Sequence, residues 1–428
     1  MSEGKKEEPR QVPGAIYANQ IVGSFGSGVA APFVASYAKR LNATGVELGW
    51  LQSIQNLFPN VLQIPWSRLS DRLGRKTPFV IVGTALAALA YLMMIASSTA
   101  MLVILAALFQ SVATSAVVPA WSALIGEKVP TATRGRTLGS IGRWAGISGV
   151  IGGIVAAFLV LPAPQESASA FQMPFVAATV AGLIAALAIV KLHETKTPPR
   201  TQSDGGVVVE NEEQRRCNFR FFVQVQVFYN FFMSFIWPIM IITQIDVLHM
   251  SNTDVTILNL IGALATVAVQ SQVGKLMDRV GPVSLISASR FMLVVVPLVY
   301  GFANNVYELY VMNVLLGAAL AMANVAYSGY LLDVAPTHRR GEYFARFNAA
   351  VGVATFAGSL IAGYLATFLM GIWGIWLGLL FVYMLSFGGR LIGAVMTVKV
   401  KECRQYPEKM SDIMQGVRDN IPFFRPPE

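Results

Sequence analysis

The chain has 428 residues, 54% hydrophobic and only 13% charged, whereas a soluble domain carries about 25% charged residues. Its net charge is +9, but the basic residues lie in short segments between long apolar runs, which sets aside a nucleic-acid partner. Those runs, about 18 residues or longer, suffice to cross a hydrocarbon core, and they define an all-α polytopic membrane protein rather than a β-barrel, whose segments are short and alternating.

In chain order, Met1 to Arg10 is polar and lacks the apolar core of a signal peptide, so the first apolar segment is expected to be retained. Twelve spans are predicted, at about 16–38, 47–67, 77–98, 101–125, 137–161, 171–191, 219–245, 253–274, 283–303, 306–332, 342–368 and 371–398. Arg68, Arg72, Arg75 and Lys76 follow span 2, Lys128, Arg134 and Arg136 follow span 4, and Lys275, Arg279, Arg339 and Arg340 follow spans 8 and 10. The opposite loops are poor in positive charge, apart from Lys39 and Arg40. The bias puts both termini in the cytosol.

Residues 192–218 are charged and carry Pro198-Pro199, which reads as a cytosolic linker. The expected organisation is an N-terminal six-helix half (1–191), that linker, a C-terminal half (219–400) and a cytosolic tail (401–428). In the tail, Met410, Ile413, Met414 and Val417 share one helical face, which suits either a surface helix or a frayed end. Cys217 and Cys403 fall in cytosolic segments, so no structural disulfide is expected.

Two loop motifs occur twice. Leu69-Ser70-Asp71-Arg72-Leu73-Gly74-Arg75-Lys76 is answered 207 positions later by Asp278-Arg279-Val280-Gly281. An acid, then Pro-Thr, then Arg-Gly runs from Glu127 to Gly135 and again from Asp333 to Gly341. Gly74 and Gly281 are expected to take the left-handed backbone that ends a helix. Spans 5 and 11 share the repeat, because Gly146 and Gly152 match Gly352 and Gly358 at an offset of 206. Small residues so placed let helices approach closely.

Polar residues inside spans are functional candidates. They are Asn19 on span 1, Gln55 and Asn56 on span 2, Gln110, Thr114 and Trp121 on span 4, Gln226, Asn230 and Trp237 on span 7, and Asn313, Asn324 and Tyr327 on span 10. The alternative for each amide is hydrogen bonding between helices. No Asp, Glu or His falls at mid-bilayer depth. Arg143, Arg290, Arg346 and Arg390 lie within about two turns of the cytosolic end, placed to snorkel, to latch a gate or to attract an anion.

With twelve spans, a central linker and the doubled loop motif, the chain resembles the major facilitator superfamily over essentially its whole length. The family's loop pattern, Gly-x-Leu-x-Asp-Arg-x-Gly-Arg-Lys, is met here with Ser67 at its first position. The resemblance implies two six-helix halves related by a pseudo-two-fold axis, with spans 1, 4, 7 and 10 around a central pathway. It also implies a cytosolic gate in which Asp71 meets Arg340 or Arg346, and Asp278 meets Arg136 or Arg143, with Arg72, Gly74, Arg75, Arg279 and Gly281 shaping the loops. The proline of the exporters' span-5 run is missing from Ser148-Gly149-Val150-Ile151-Gly152-Gly153, and Ala107 stands where many of them carry Arg.

The function expected is secondary transport of a small neutral polar or amphipathic organic solute by alternating access. The alternatives are a proton-driven exporter of hydrophobic compounds and a transport-dead receptor or scaffold on the same fold. An enzyme is not expected: the chain offers no nucleophile–base set, metal cluster or phosphate loop, and His193, His249 and His338 are dispersed. No catalytic residue, metal or cofactor is expected, and the partners are the solute and the lipid bilayer around a monomer.

Overall fold

The computed structural model describes residues 14–128, 134–164, 166–190, 212–335 and 340–402. The N-terminal residues, most of the expected linker, the Pro-Thr parts of the second loop motif and the proposed tail helix lie outside them.

The described chain is helical. α1 (Gly14–Ala30) continues through a tight turn into α2 (Val34–Arg40). α3 (Gly45–Val61) and α4 (Gln63–Leu73) follow as one interrupted pass. Then come α5 (Thr77–Ile95), α6 (Ala100–Lys128), α7 (Arg134–Val160) and α8 (Gln172–Val190). α9 (Glu212–Ser234) and α10 (Ile236–Ile242) form another interrupted pass, followed by α11 (Asn252–Val280), α12 (Pro282–Phe302), α13 (Val306–Val334) and α14 (Arg340–Val398). Ten stretches are long and apolar enough to cross a membrane. The last, Tyr343–Val398, has 56 residues, or about 84 Å at 1.5 Å per residue, against a hydrocarbon core of about 30 Å. Gly374 breaks it at φ 82°, so it makes two passes. Together with the pair α3–α4 this gives the twelve expected.

Local chemistry sets the ends. Thr44 and Glu47 close a reciprocal cap on α3: the Glu47 carboxylate accepts from the Thr44 N–H at 2.8 Å, and the Thr44 hydroxyl accepts from the Glu47 N–H at 3.2 Å. Asn305 caps α13 in the same sense. Gly74 and Gly281 have φ of 62° and 85°, the left-handed conformation expected of the doubled loop. Pro282 then opens α12, where its missing N–H is not needed.

The chain divides into two compact units, residues 1–201 with 244–260, and residues 202–243 with 261–428. In the first, Ile16, Val80, Ala120, Leu124, Ile141 and Ile189 join α1, α5, α6, α7 and α8 in a buried cluster. Residues 244–260 belong to this unit for a visible reason. Lys39 pairs with Asp246 at 2.5 Å. Arg40 donates to the Asn252 Oδ1 at 2.9 Å and to the Met250 carbonyl at 2.7 Å. Asn252 in turn donates to the Ser167 carbonyl at 2.9 Å. The two basic residues that break the charge bias of the loops are therefore held by polar partners in the fold.

In the second unit the core is aromatic. Phe222 packs against Tyr330 at 4.1 Å between centroids and against Phe347 at 5.6 Å. Val280, Leu285, Leu331 and Val334 complete it.

Candidate functional site

Two prolines create the polar centre of the second unit. Pro238, in α10, cannot donate to a preceding carbonyl, and the helix breaks between Ser234 and Ile236. Pro297, inside α12, likewise frees the Leu293 carbonyl, four residues before it. Free carbonyls are tolerated within a membrane only if protein groups satisfy them. α14 supplies those groups. Ser386 donates to the Phe232 carbonyl at 2.7 Å and Ser359 to the Ser234 carbonyl at 3.5 Å. Arg390 donates to the Leu293 carbonyl at 2.7 Å and to the Met233 carbonyl at 2.8 Å. Arg390 is thus a staple across both interruptions.

Arg290 is the second buried cation, one turn before Met292 to Val294 on α12 and about 12 Å along the helix from Pro282 at 1.5 Å per residue. Only 1% of its surface is exposed. Its guanidinium lies 3.8 Å from the Tyr229 ring centroid and 5.0 Å from that of Tyr327. It donates to the Gln226 Oε1 at 2.7 Å and to the Met233 sulfur at 3.5 Å. The Tyr327 hydroxyl donates to the same Gln226 oxygen at 2.7 Å. Gln226 is fully buried, whereas Tyr327 is half-buried.

Within this trio the two atoms left over are both donors: Arg290 Nε and Gln226 Nε2 have no hydrogen-bond partner. Turning the Gln226 amide over would set its NH₂ against the guanidinium, donor against donor, so the orientation follows from the chemistry. The buried polar residues among those described include Arg290 and Arg390 but no Asp or Glu. Cation–π contact on desolvated rings contributes about 2 kcal/mol. Burying an ion costs several kcal/mol. Neutral neighbours therefore leave Arg290 short of compensation.

Neither buried arginine snorkels. Both side chains are drawn inward, Arg390 by the Leu293 carbonyl that Pro297 frees and the Met233 carbonyl beside the break in the helix, and Arg290 by Gln226 and the tyrosine rings. The partners of both arginine side chains lie far away in sequence, on α9 and α13 for Arg290 and on α9 and α12 for Arg390. The two prolines were the available signal, since each marks a carbonyl that needs a donor.

The other expected residues fall into three groups. Asn19 is buried and donates to the Ala185 carbonyl at 2.8 Å, tying α1 to α8. Gln110 donates to the Ala87 carbonyl at 3.3 Å, tying α6 to α5. Asn313 donates to the Leu309 carbonyl at 3.0 Å and to the Tyr300 hydroxyl at 3.4 Å. Asn56, Thr114 and Asn230 bond back to carbonyls of their own helices, at Gln52, Gln110 and Gln226. Gln55, Trp121 and Trp237 are half-buried, and Asn324 is exposed. Of the expected stripe, Gln226 and Tyr327 are joined side chain to side chain across two helices, whereas the Asn230–Gln226 and Thr114–Gln110 bonds run to backbone within one helix.

Of the expected gate residues, the side chains of Asp71, Arg136 and Arg340 lie outside the described residues. Arg72, Arg75, Arg143, Asp278, Arg279 and Arg346 are exposed.

The model for the Major Facilitator Superfamily matches residues 16–235 and 221–402. The chain is 25% identical over 365 residues to an uncharacterized MFS-type transporter of Methanocaldococcus jannaschii, covering 80% of this chain and 88% of that one. It is 22% identical over 358 residues to the quinolone resistance protein NorA of Staphylococcus aureus, covering 82% and 88%. Among solved structures, the nucleoside transporter NupG superposes with a TM-score of 0.69 at 11% identity, over 91% of this chain and all of that one.

Proposed function

The chain belongs to the major facilitator superfamily, and from that premise we propose that it is a secondary transporter that moves a small neutral polar or amphipathic organic solute by alternating access. The observation that carries the reading is the pairing of Gln226 with Tyr327 beside the Phe222–Phe347 ring cluster. It sets amide and hydroxyl groups against flat apolar faces within one unit, which suits a solute with a polar head and an apolar body. The doubled loop supports movement between two states, with Asp71 and Asp278 as the acids of a cytosolic gate. Both termini are proposed to be cytosolic, on the charge bias of the loops.

A second reading is a proton-driven exporter of hydrophobic compounds, and the similarity to a quinolone resistance protein favours drugs as its cargo. Protein-dependent uptake into vesicles, with and without an imposed pH gradient, separates the two. An uncoupled transporter equilibrates its solute at the same level in both cases. Accumulation that follows the gradient sinks the uncoupled reading in favour of the exporter. No protein-dependent flux of any amphipathic solute sinks both, and leaves a receptor on the same fold.

A further inference from the structure

We propose that Arg290, Gln226 and Tyr327 form an anion subsite that takes the carboxylate of an amphipathic organic acid. The inference rests on the transport reading above, keeps its amphipathic solute and replaces the neutral head with an acidic one.

Three observations carry it. First, Arg290 is a fully buried cation whose polar partners are an amide oxygen, a thioether and two rings, none of them charged. A guanidinium in a dry site calls for an anion, and a carboxylate matches its fork with two parallel bonds. Second, the unpartnered atoms, Arg290 Nε and Gln226 Nε2, are both donors. An incoming carboxylate is acceptor-only and satisfies both kinds of deficit at once. A neutral solute whose polar head is itself a donor satisfies neither. Third, the trio has an accessible member. Tyr327 is half-buried and its hydroxyl occupies Gln226 Oε1, so rotation of that one side chain opens the amide and the guanidinium together.

Arg390 is a second buried cation near the same methionine, but its role differs. Its Nε is unpartnered like that of Arg290, but its two terminal nitrogens are taken by backbone carbonyls at 2.7 and 2.8 Å, bonds that hold it to the helix interruptions. It adds positive potential to the site and does not bind the solute. A carboxylate at Arg290 would thus meet two buried positive charges with no buried acid among the described residues. The apolar body of the solute has the rings of Phe222, Tyr327 and Phe347 to pack against.

The test uses the full-length protein in phosphatidylcholine vesicles, with 2-naphthoate and its neutral counterpart 2-naphthamide as probes. Binding is read from the thermal midpoint and transport from protein-dependent uptake of each probe. Because bonds to charged groups are worth more than neutral ones, the wild type is expected to bind the acid at least about tenfold more tightly than the amide. Gln226→Glu places a carboxylate on Arg290 from within. That variant is expected to fold with a higher midpoint in the absence of probe and to lose the preference for 2-naphthoate. Arg290→Gln is expected to lose the same preference. Equal binding of acid and amide by the wild type, no binding of the acid, or a naphthoate response that survives in Gln226→Glu overturns the subsite. Uptake of both probes without preference for the acid sinks the subsite and leaves transport standing. Tight binding of the acid with no uptake of either probe keeps the subsite and sinks the transport reading.

Discussion

Gly152 and Gly358 stand 206 positions apart and make the same contact. A Cβ on Gly152 would overlap the Phe25 carbonyl, and a Cβ on Gly358 would overlap the Phe231 carbonyl; Phe25 and Phe231 are themselves 206 apart. The internal repeat is therefore a repeat of helix contact as well as of letters. In each unit a helix crosses its neighbour so closely that only a hydrogen fits at the crossing.

Gly358→Ala is expected to lower stability by about 1–3 kcal/mol, because the added methyl forces backbone to shift against backbone. Gly388→Ala, on the second pass of α14 with open space at its Cβ, is the control and should be near neutral. Thermal unfolding of the two variants checks the claim. Equal midpoints would show that the crossing can relax.

Arg390→Met leaves the Leu293 and Met233 carbonyls without their donor. An unsatisfied buried acceptor costs about 1–3 kcal/mol, so the variant is expected to be among the least stable single substitutions in α14. Arg390→Lys retains one donor and should fall between. The measurement is the unfolding midpoint in detergent, and a Met variant as stable as the wild type would refute the staple.

Glu402 gives stability a pH dependence. Burial is the main cause that pushes its carboxyl up to about 7, with a smaller push from Asp333, against the opposing hydrogen bonds from the Val283 and Ser284 N–H groups at the start of α12. The folded state therefore holds this proton more tightly than an unfolded chain, where the group titrates at about 4.5. Its contribution is fully present below about 4.5 and is lost as pH rises through about 7. The effect is modest, since the side chain is partly exposed. Midpoints measured between pH 5 and pH 8 should decline less in Glu402→Gln, which mimics the protonated form. Parallel pH profiles for the two proteins would contradict it.

The doubled loop makes its own prediction. Asp71→Asn and Asp278→Asn should each increase labelling of engineered cysteines at the ends of the helices that carry the motif, because loss of a gate acid favours the open state at that end. Labelling that matches the wild type in both variants removes the latch role.

How much was legible follows from distance along the chain. Spans were readable because apolar length is a local property, and the left-handed glycines at 74 and 281 were readable because a helix must end before the next begins. The polar stripe on α9 was also readable, but its meaning was not. Gln226, Asn230 and Asn19 look alike in sequence, yet Asn19 is engaged by a carbonyl of α8, Asn230 by its own helix, and Gln226 by an arginine 64 positions away.

The sequence by itself determined the membrane class, the twelve passes, the two-fold repeat and the loops that join them, since each depends on composition or on neighbours within a few turns. Only the tertiary structure decided which buried polar groups are satisfied. The Leu293 carbonyl meets its donor in Arg390 of α14, and Gln226 meets Arg290 of α12. In a dry interior a donor or acceptor must find its partner on another helix wherever its own cannot provide one. Which helix that is depends on packing, and packing left Arg290 with a charge that no described side chain neutralises.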